Sequence, residues 1–209
     1  MRNKYPQIYA EVIDVGDERA VKEFCTNSIE FLGGLDCLVN NAGVAGPTLA
    51  IEEIDAEDWS HCLNVCLSSQ FYFVKSCLKQ LRKSSCASIV NLSSAAGQYG
   101  FAFRTPYASA KWGVIGLTKS LSIELGKDKI RVNAIGPGPT LKGHRQTEEH
   151  FLKQRKNTIL ERGAVPGEIV EALKFILNSP SITGQLLSLI HISEPTRRRG
   201  ISYAVFCLK

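Results

Sequence analysis

No run of eighteen apolar residues occurs among the 209, so nothing in the chain reads as a membrane-spanning helix. The opening stretch MRNKYPQIYA lacks the apolar segment of a secretory signal. There is no C-x-x-C pair, no internal repeat and no Pro/Gly/Ser-rich linker. Charge of one sign is scarce. The formal net charge is +5, from 25 Lys+Arg against 20 Asp+Glu, and residues 1–186 alone carry only +2. That balance removes the argument for a nucleic-acid partner. With 44% hydrophobic residues, the composition also excludes collagen-like, low-complexity and disordered classes.

What is present suits one domain of ordinary size with a real core. The seven cysteines mostly sit inside apolar runs such as LDCLV and KSCLK, and they read as buried free thiols of a reducing, cytoplasmic compartment. Cys62 and Cys66 lie one helical turn apart beside His61, but a metal site would need further ligands that the neighbourhood does not offer. No metal is expected.

Periodicity alternates between strand and helix. Residues 8–14 (IYAEVID) suggest a strand. Asp17 then precedes a helical stripe of Val21, Phe24, Cys25, Ile29 and Leu32, stopped by Gly33-Gly34. Residues 35–40 and 87–92 are continuous apolar runs, the pattern of strands buried on both faces of a parallel sheet. Long helices are predicted from about Asp58 to Leu81 and over 106–126, a strand over 129–135, an irregular stretch over 136–166 and a helix over 167–177. Such alternation implies an α/β domain with a doubly wound parallel sheet and right-handed crossovers.

In open α/β sheets ligands bind beyond the carboxyl ends of the strands. Four predicted strands end in small or polar clusters: Asp14-Val15, Asn40-Asn41-Ala42-Gly43, Ser93-Ser94 and Gly136-Pro137-Gly138. Small residues there let a cofactor approach the backbone. Tyr107 and Lys111 are four apart, which places both on one helix face. An ammonium near a phenol favours the phenolate, giving an acid/base usable near neutral pH.

Asn40-Asn41-Ala42-Gly43, Asn64, Ser94, Tyr107, Lys111 and Pro137-Gly138 occur in one order, and the stretch IVNLSSAAGQYGFAFRTPYASAKWGVIGLTKSLSIELGKDKIRVNAIGPG keeps their contexts. Over residues 8–186 the sequence resembles the short-chain dehydrogenase/reductase family. The resemblance implies a Rossmann-like fold and an NAD- or NADP-dependent oxidoreductase that interconverts a carbonyl and an alcohol by hydride transfer. It implies Tyr107 as the catalytic acid/base and Lys111 as the lysine that lowers its pKa and holds the nicotinamide ribose. Ser94, thirteen residues before Tyr107, would bond the substrate oxygen, and Asn64 would support a water-linked proton relay to the lysine. Asp14 and Val15 would contact adenine, Asn40, Asn41, Ala42 and Gly43 would pack on adenosine, and Pro137, Gly138 and Thr140 would meet the nicotinamide amide. Local likenesses point to a 3-oxoacyl, sugar-alcohol or pteridine-like substrate. A homodimer or homotetramer is implied, built on the two long helices.

Both ends depart from the family pattern. The T-G-x-x-x-G-x-G turn that would meet the pyrophosphate is not in the sequence, so roughly one βαβ unit of 40–60 residues is expected to be missing before Met1. Beyond ITGQLL the string LSLIHISEPTR matches one frame of a transposase-derived sequencing adapter. The expectation is therefore an incomplete NAD(P)-binding domain over 1–186, lacking its last strand, and a non-native tail over 187–209. An inactive fragment, or a non-catalytic dinucleotide-binding protein of the same fold, is the alternative reading.

Overall fold

The computed structural model describes residues 7–143 and 146–189. The expectations for residues 190–209 lie outside the described residues. The chain runs α1 (Glu18–Leu32), β1 (Cys37–Asn40), α2 (Ala56–Leu63), a π-helical turn (Asn64–Ser68), α3 (Ser69–Leu81), β2 (Ser88–Leu92), α4 (Ala96–Tyr99), α5 (Thr105–Glu124), β3 (Arg131–Pro137), α6 (Glu148–Lys156), α7 (Pro166–Leu177) and β4 (Leu186–Leu189). The four strands pair in the order β1-β2-β3-β4 and every pair is parallel. This is the α/β Rossmann-like architecture that the alternation implies.

Local chemistry accounts for the element ends. Asp17 Oδ1 accepts from the N–H groups of Arg19 and Ala20, satisfying two donors at the start of α1. Gly33 ends that helix in the left-handed region at φ 71°, where a side chain would be strained. At the other end of the chain, Arg131 donates to the carbonyls of Ile176, Leu177 and Ser179 and so closes the last turn of α7.

The strands are apolar on both sides because both sides are covered. Ile89 and Val132 pack with Val21, Val74 and Leu81 under α1 and α3. Val90, Leu92 and Ile135 pack with Ala172 and Ile176 of α7 on the opposite face. The alternation of Ile89 and Val90 between the two clusters is the period-two geometry of a strand.

Four expectations are corrected. Residues 8–14 form no strand: an extended segment becomes one only beside a partner, none lies there among the described residues, and Val12 is fully exposed. The long helix over 58–81 is divided by the π-helical turn, whose wider hydrogen bonding leaves no mark on an apolar stripe. The last strand is formed: residues Leu186–Leu189 pair with Ala134–Pro137, since ladder hydrogen bonds use the backbone whatever the side chains are. The irregular stretch contains α6, which carries one buried residue, Phe151, and so shows no stripe; Thr147 Oγ1 caps it by accepting from His150 N–H.

Candidate active site

The candidate residues gather where β1, β2 and β3 end. At β1, Asn40 Nδ2 donates to Asn91 Oδ1 at 2.9 Å, and Asn91 Nδ2 donates to Thr118 Oγ1 of α5 at 3.0 Å. These buried amides fix the two strand ends against α5. Asn41, Ala42 and Gly43 follow, and an added Cβ on Gly43 would lie 3.7 Å from Lys111 Nζ and 3.6 Å from Cys66 Sγ. The β1 end thus comes down onto the lysine. Val15, Asn40, Asn41 and Ala42 also border a mainly apolar cavity of about 300 Å³ between α1, α3 and β1.

Lys111 is 4% exposed, and two contacts bracket it. Its Nζ donates to the Leu92 carbonyl at 2.7 Å, and Ser93 Oγ donates to the Lys111 carbonyl at 2.8 Å. Burial holds the ammonium's pKa below its usual value. Ser93 is therefore an anchor between β2 and α5. Ser94 Oγ accepts from Ala96 N–H, and its hydroxyl acts on the Tyr107 phenol in favour of the ionised form. Close packing of α4 on α5 keeps this pairing in place, because a Cβ on Gly97 would fall 2.6 Å from the Lys111 backbone.

Tyr107 and Lys111 share the face that the spacing predicts, with Nζ 5.8 Å from the phenol ring centre. The net electrostatic effect differs from the expected one. Burial pushes the Tyr107 phenol above its ordinary value, while the Ser94 hydrogen bond and the Arg104 guanidinium pull it down. Removing a phenol from water opposes its ionisation, and in this arrangement that effect is the largest.

Asn64 opens the π-helical turn. Its Nδ2 donates to the Gly16 carbonyl at 3.0 Å and its Oδ1 accepts from the Tyr72 hydroxyl at 3.5 Å. Asp14 Oδ1 accepts from Gly16 N–H at 2.8 Å, so Asp14, Val15 and Gly16 form one turn seated on Asn64. A Cβ on Gly16 would meet Asn64 Nδ2 at 2.6 Å. The structure thus joins Asn64 to the Asp14-Val15 turn.

At β3, the Pro137 carbonyl accepts from Ala95 N–H, Gly138 N–H donates to the Leu189 carbonyl, and Thr140 Oγ1 donates to the Gly138 carbonyl. Pro137 and Gly138 therefore stand beside the Ser94 loop.

Two features had little or no signal in the sequence. Cys62 and Cys66 cluster with Ala110, Val44 and Tyr107 directly beneath the site. Val44 N–H donates to Cys66 Sγ at 3.3 Å, and the neighbouring Cys62 thiol holds the Cys66 pKa below its ordinary value while its own is pushed up. Their four-residue spacing was the available clue. Arg104, just before α5, stacks on Tyr107 and carried no clue.

The family model described as short chain dehydrogenase matches residues 1–152. The 3-oxoacyl-(acyl-carrier-protein) reductase FabG of Thermotoga maritima is 34% identical over 184 residues, covering 85% of this chain and 74% of that protein. The (2S)-((R)-hydroxy(phenyl)methyl)succinyl-CoA dehydrogenase subunit BbsD of Thauera aromatica is 34% identical over 189 residues, covering 87% of this chain and 74% of that protein. The crystal structure of levodione reductase superposes with a TM-score of 0.83 at 25% identity, over 90% of this chain and 79% of that one. NAD+-bound xylitol dehydrogenase gives a TM-score of 0.79 at 25% identity, over 86% of this chain and 77% of that one.

Proposed function

Because the chain belongs to the short-chain dehydrogenase family, we propose that it interconverts a carbonyl and an alcohol by hydride transfer, with NAD or NADP as hydride partner and Tyr107 as acid/base. The observation that carries this reading is the placing of Tyr107 and the buried Lys111 ammonium on one helix face, 5.8 Å from ring centre to Nζ, at the carboxyl ends of the strands.

The residues present fit the nicotinamide end of the cofactor. A lysine ammonium has three N–H donors, and Lys111 gives one to the Leu92 carbonyl. Beside it is Gly43, whose missing side chain leaves the backbone open to close approach. Vicinal hydroxyls of a ribose suit donors placed in this way, and Pro137, Gly138 and Thr140 border the same strand ends. When bound, the cofactor supplies or accepts the hydride.

The chain's own residues manage the oxygen. In the reducing direction the substrate carbonyl sits between Ser94 Oγ and Tyr107 Oη, within reach of both hydroxyls. Ser94 donates to the oxygen and fixes it. Tyr107 passes its proton to that oxygen as negative charge develops there. Alcohol oxidation runs these steps backwards, with the phenolate accepting the proton. Asn64, held by the Gly16 carbonyl, is proposed to support a water-linked proton relay to Lys111, and a 3-oxoacyl, sugar-alcohol or pteridine-like substrate is the proposed range.

We place this enzyme in the cytoplasm, on one domain that includes β4, as a homodimer or homotetramer. Among the described residues no helix is long and apolar enough to cross a membrane. Phe71 of α3 and Trp112 of α5 expose about half of their surface, which supports an interface on these helices, whereas Phe73 packs against the core.

The test is nicotinamide absorbance with a panel of carbonyl substrates. Tyr107→Phe is expected to lower turnover by about a hundredfold or more, the usual scale of acid/base catalysis. Unchanged turnover would remove Tyr107 from the mechanism.

A further inference from the structure

Arg104 is the residue next to the phenol that the proposed mechanism leaves unused. It caps α5 one turn before Tyr107, with φ −130° and ψ 41°. Its Cζ lies 4.5 Å from the centre of the Tyr107 ring and 5.6 Å from that of Phe101, so the guanidinium is held between two aromatic rings. Nη2 donates to the Ala45 carbonyl at 2.5 Å, which ties the cation to the loop after β1. Nε is buried and has no hydrogen-bond partner among the described residues.

This is an unusual place for a full charge. A surface arginine would turn its donors to water. Here one donor is buried and unpartnered, and the charge is fixed on a face of the phenol by three contacts, to Phe101, Ala45 and Tyr107. The guanidinium is half-buried, with Nε shut off from water, and it acts on the ring as a cation held at a fixed distance.

We propose that Arg104 is a positioning residue for the acid/base, a second cation that stabilises negative charge on Tyr107 as its proton leaves. The inference rests on the reading of Tyr107 as acid/base, and it goes beyond that reading in adding a second cation to Lys111. Lys111 Nζ donates to the Leu92 carbonyl and stands 5.8 Å from the ring centre, and the guanidinium is nearer at 4.5 Å.

The other groups facing the phenol are Ser94 from the loop after β2, Cys62 from α2 and Cys66 from the π-helical turn. Ser94 acts in the same direction as Arg104, by hydrogen bonding, and the two thiols oppose it. A guanidinium is always charged near neutral pH, so its contribution does not switch off as the thiols titrate.

The test is a titration of the full chain carrying 13Cζ-labelled tyrosine, followed by NMR, with the Tyr107 signal identified by its loss in Tyr107→Phe. In Arg104→Gln the Tyr107 midpoint is expected to rise by about one pH unit, the lower end of the effect of an adjacent opposite charge. In Arg104→Lys, which keeps the charge, at least half of that rise is expected to disappear. An unmoved midpoint in Arg104→Gln, or a midpoint in Arg104→Lys as high as in Arg104→Gln, overturns the proposal. If Arg104→Gln does not fold by circular dichroism, Arg104→Met takes its place and is read by the same rule. The titration needs no turnover, so failure of the proposed reaction and failure of this inference are separable.

Discussion

Asn40 and Asn91 share a buried hydrogen bond, Nδ2 to Oδ1 at 2.9 Å, that joins the ends of β1 and β2 beneath the candidate active site. Asn91 also donates to Thr118, so it is the middle link between two strands and α5. Asn91→Leu leaves the Asn40 amide without its acceptor, while the Thr118 hydroxyl keeps its bond to the Val114 carbonyl. A loss of about 1–3 kcal/mol in unfolding free energy is expected, measured by denaturant titration, the cost of one unpaired buried group. A change within 0.5 kcal/mol, about what an ordinary surface substitution produces, would contradict this role.

Gly97 is the contact through which α4 meets α5. An alanine there would bring its Cβ 2.6 Å from the carbonyl of Lys111, backbone that cannot move aside without shifting the lysine. Gly97→Ala is expected to destabilise by about 1–3 kcal/mol and to reduce turnover as well. Calorimetry paired with the nicotinamide assay checks both, and a variant with unchanged melting temperature and turnover would refute the close packing.

Glu168 gives a pH dependence with a definite sign. Its hydrogen bond with Arg162, helped by Val165 N–H, lowers its pKa from 4.5 to about 2. A depressed carboxylate stabilises the fold above its unfolded pKa, and that contribution is lost as pH falls towards 2. The native chain is therefore expected to lose stability more steeply than Glu168→Gln between about pH 4.5 and 2. Both carboxylate and guanidinium are solvent-exposed, so the difference should shrink in high salt.

The thiols should react in a definite order. Cys86 is exposed, whereas Cys25 and Cys62 are buried, and the neighbouring thiols Cys77 and Cys66, together with burial, push both pKa values up. Timed alkylation with peptide mapping is expected to label Cys86 first and Cys25 and Cys62 only on unfolding. Early labelling of Cys25 would show that α1 does not pack on α3 as described.

The sequence carried much of the fold and of the candidate site, where one side-chain period expressed it. Tyr107 and Lys111 were legible because four residues make one helical turn. The β1 and β2 ends were legible because apolar runs stop at Asn40 and Ser93. Residues 8–14 misled because strand formation depends on a partner, which no local pattern reports. The π-helical turn at Asn64–Ser68 escaped because it changes backbone register and keeps the apolar stripe. Arg104 escaped for a different reason: a lone arginine before a helix has no periodicity, and only folding brings Phe101 and Ala45 around it.

The most direct test of the central claim is the rate of nicotinamide absorbance change in one turnover, compared between the native chain and Tyr107→Phe. A rate lower by about a hundredfold or more in the variant is the predicted result. Equal rates in the native chain and the variant would contradict the account.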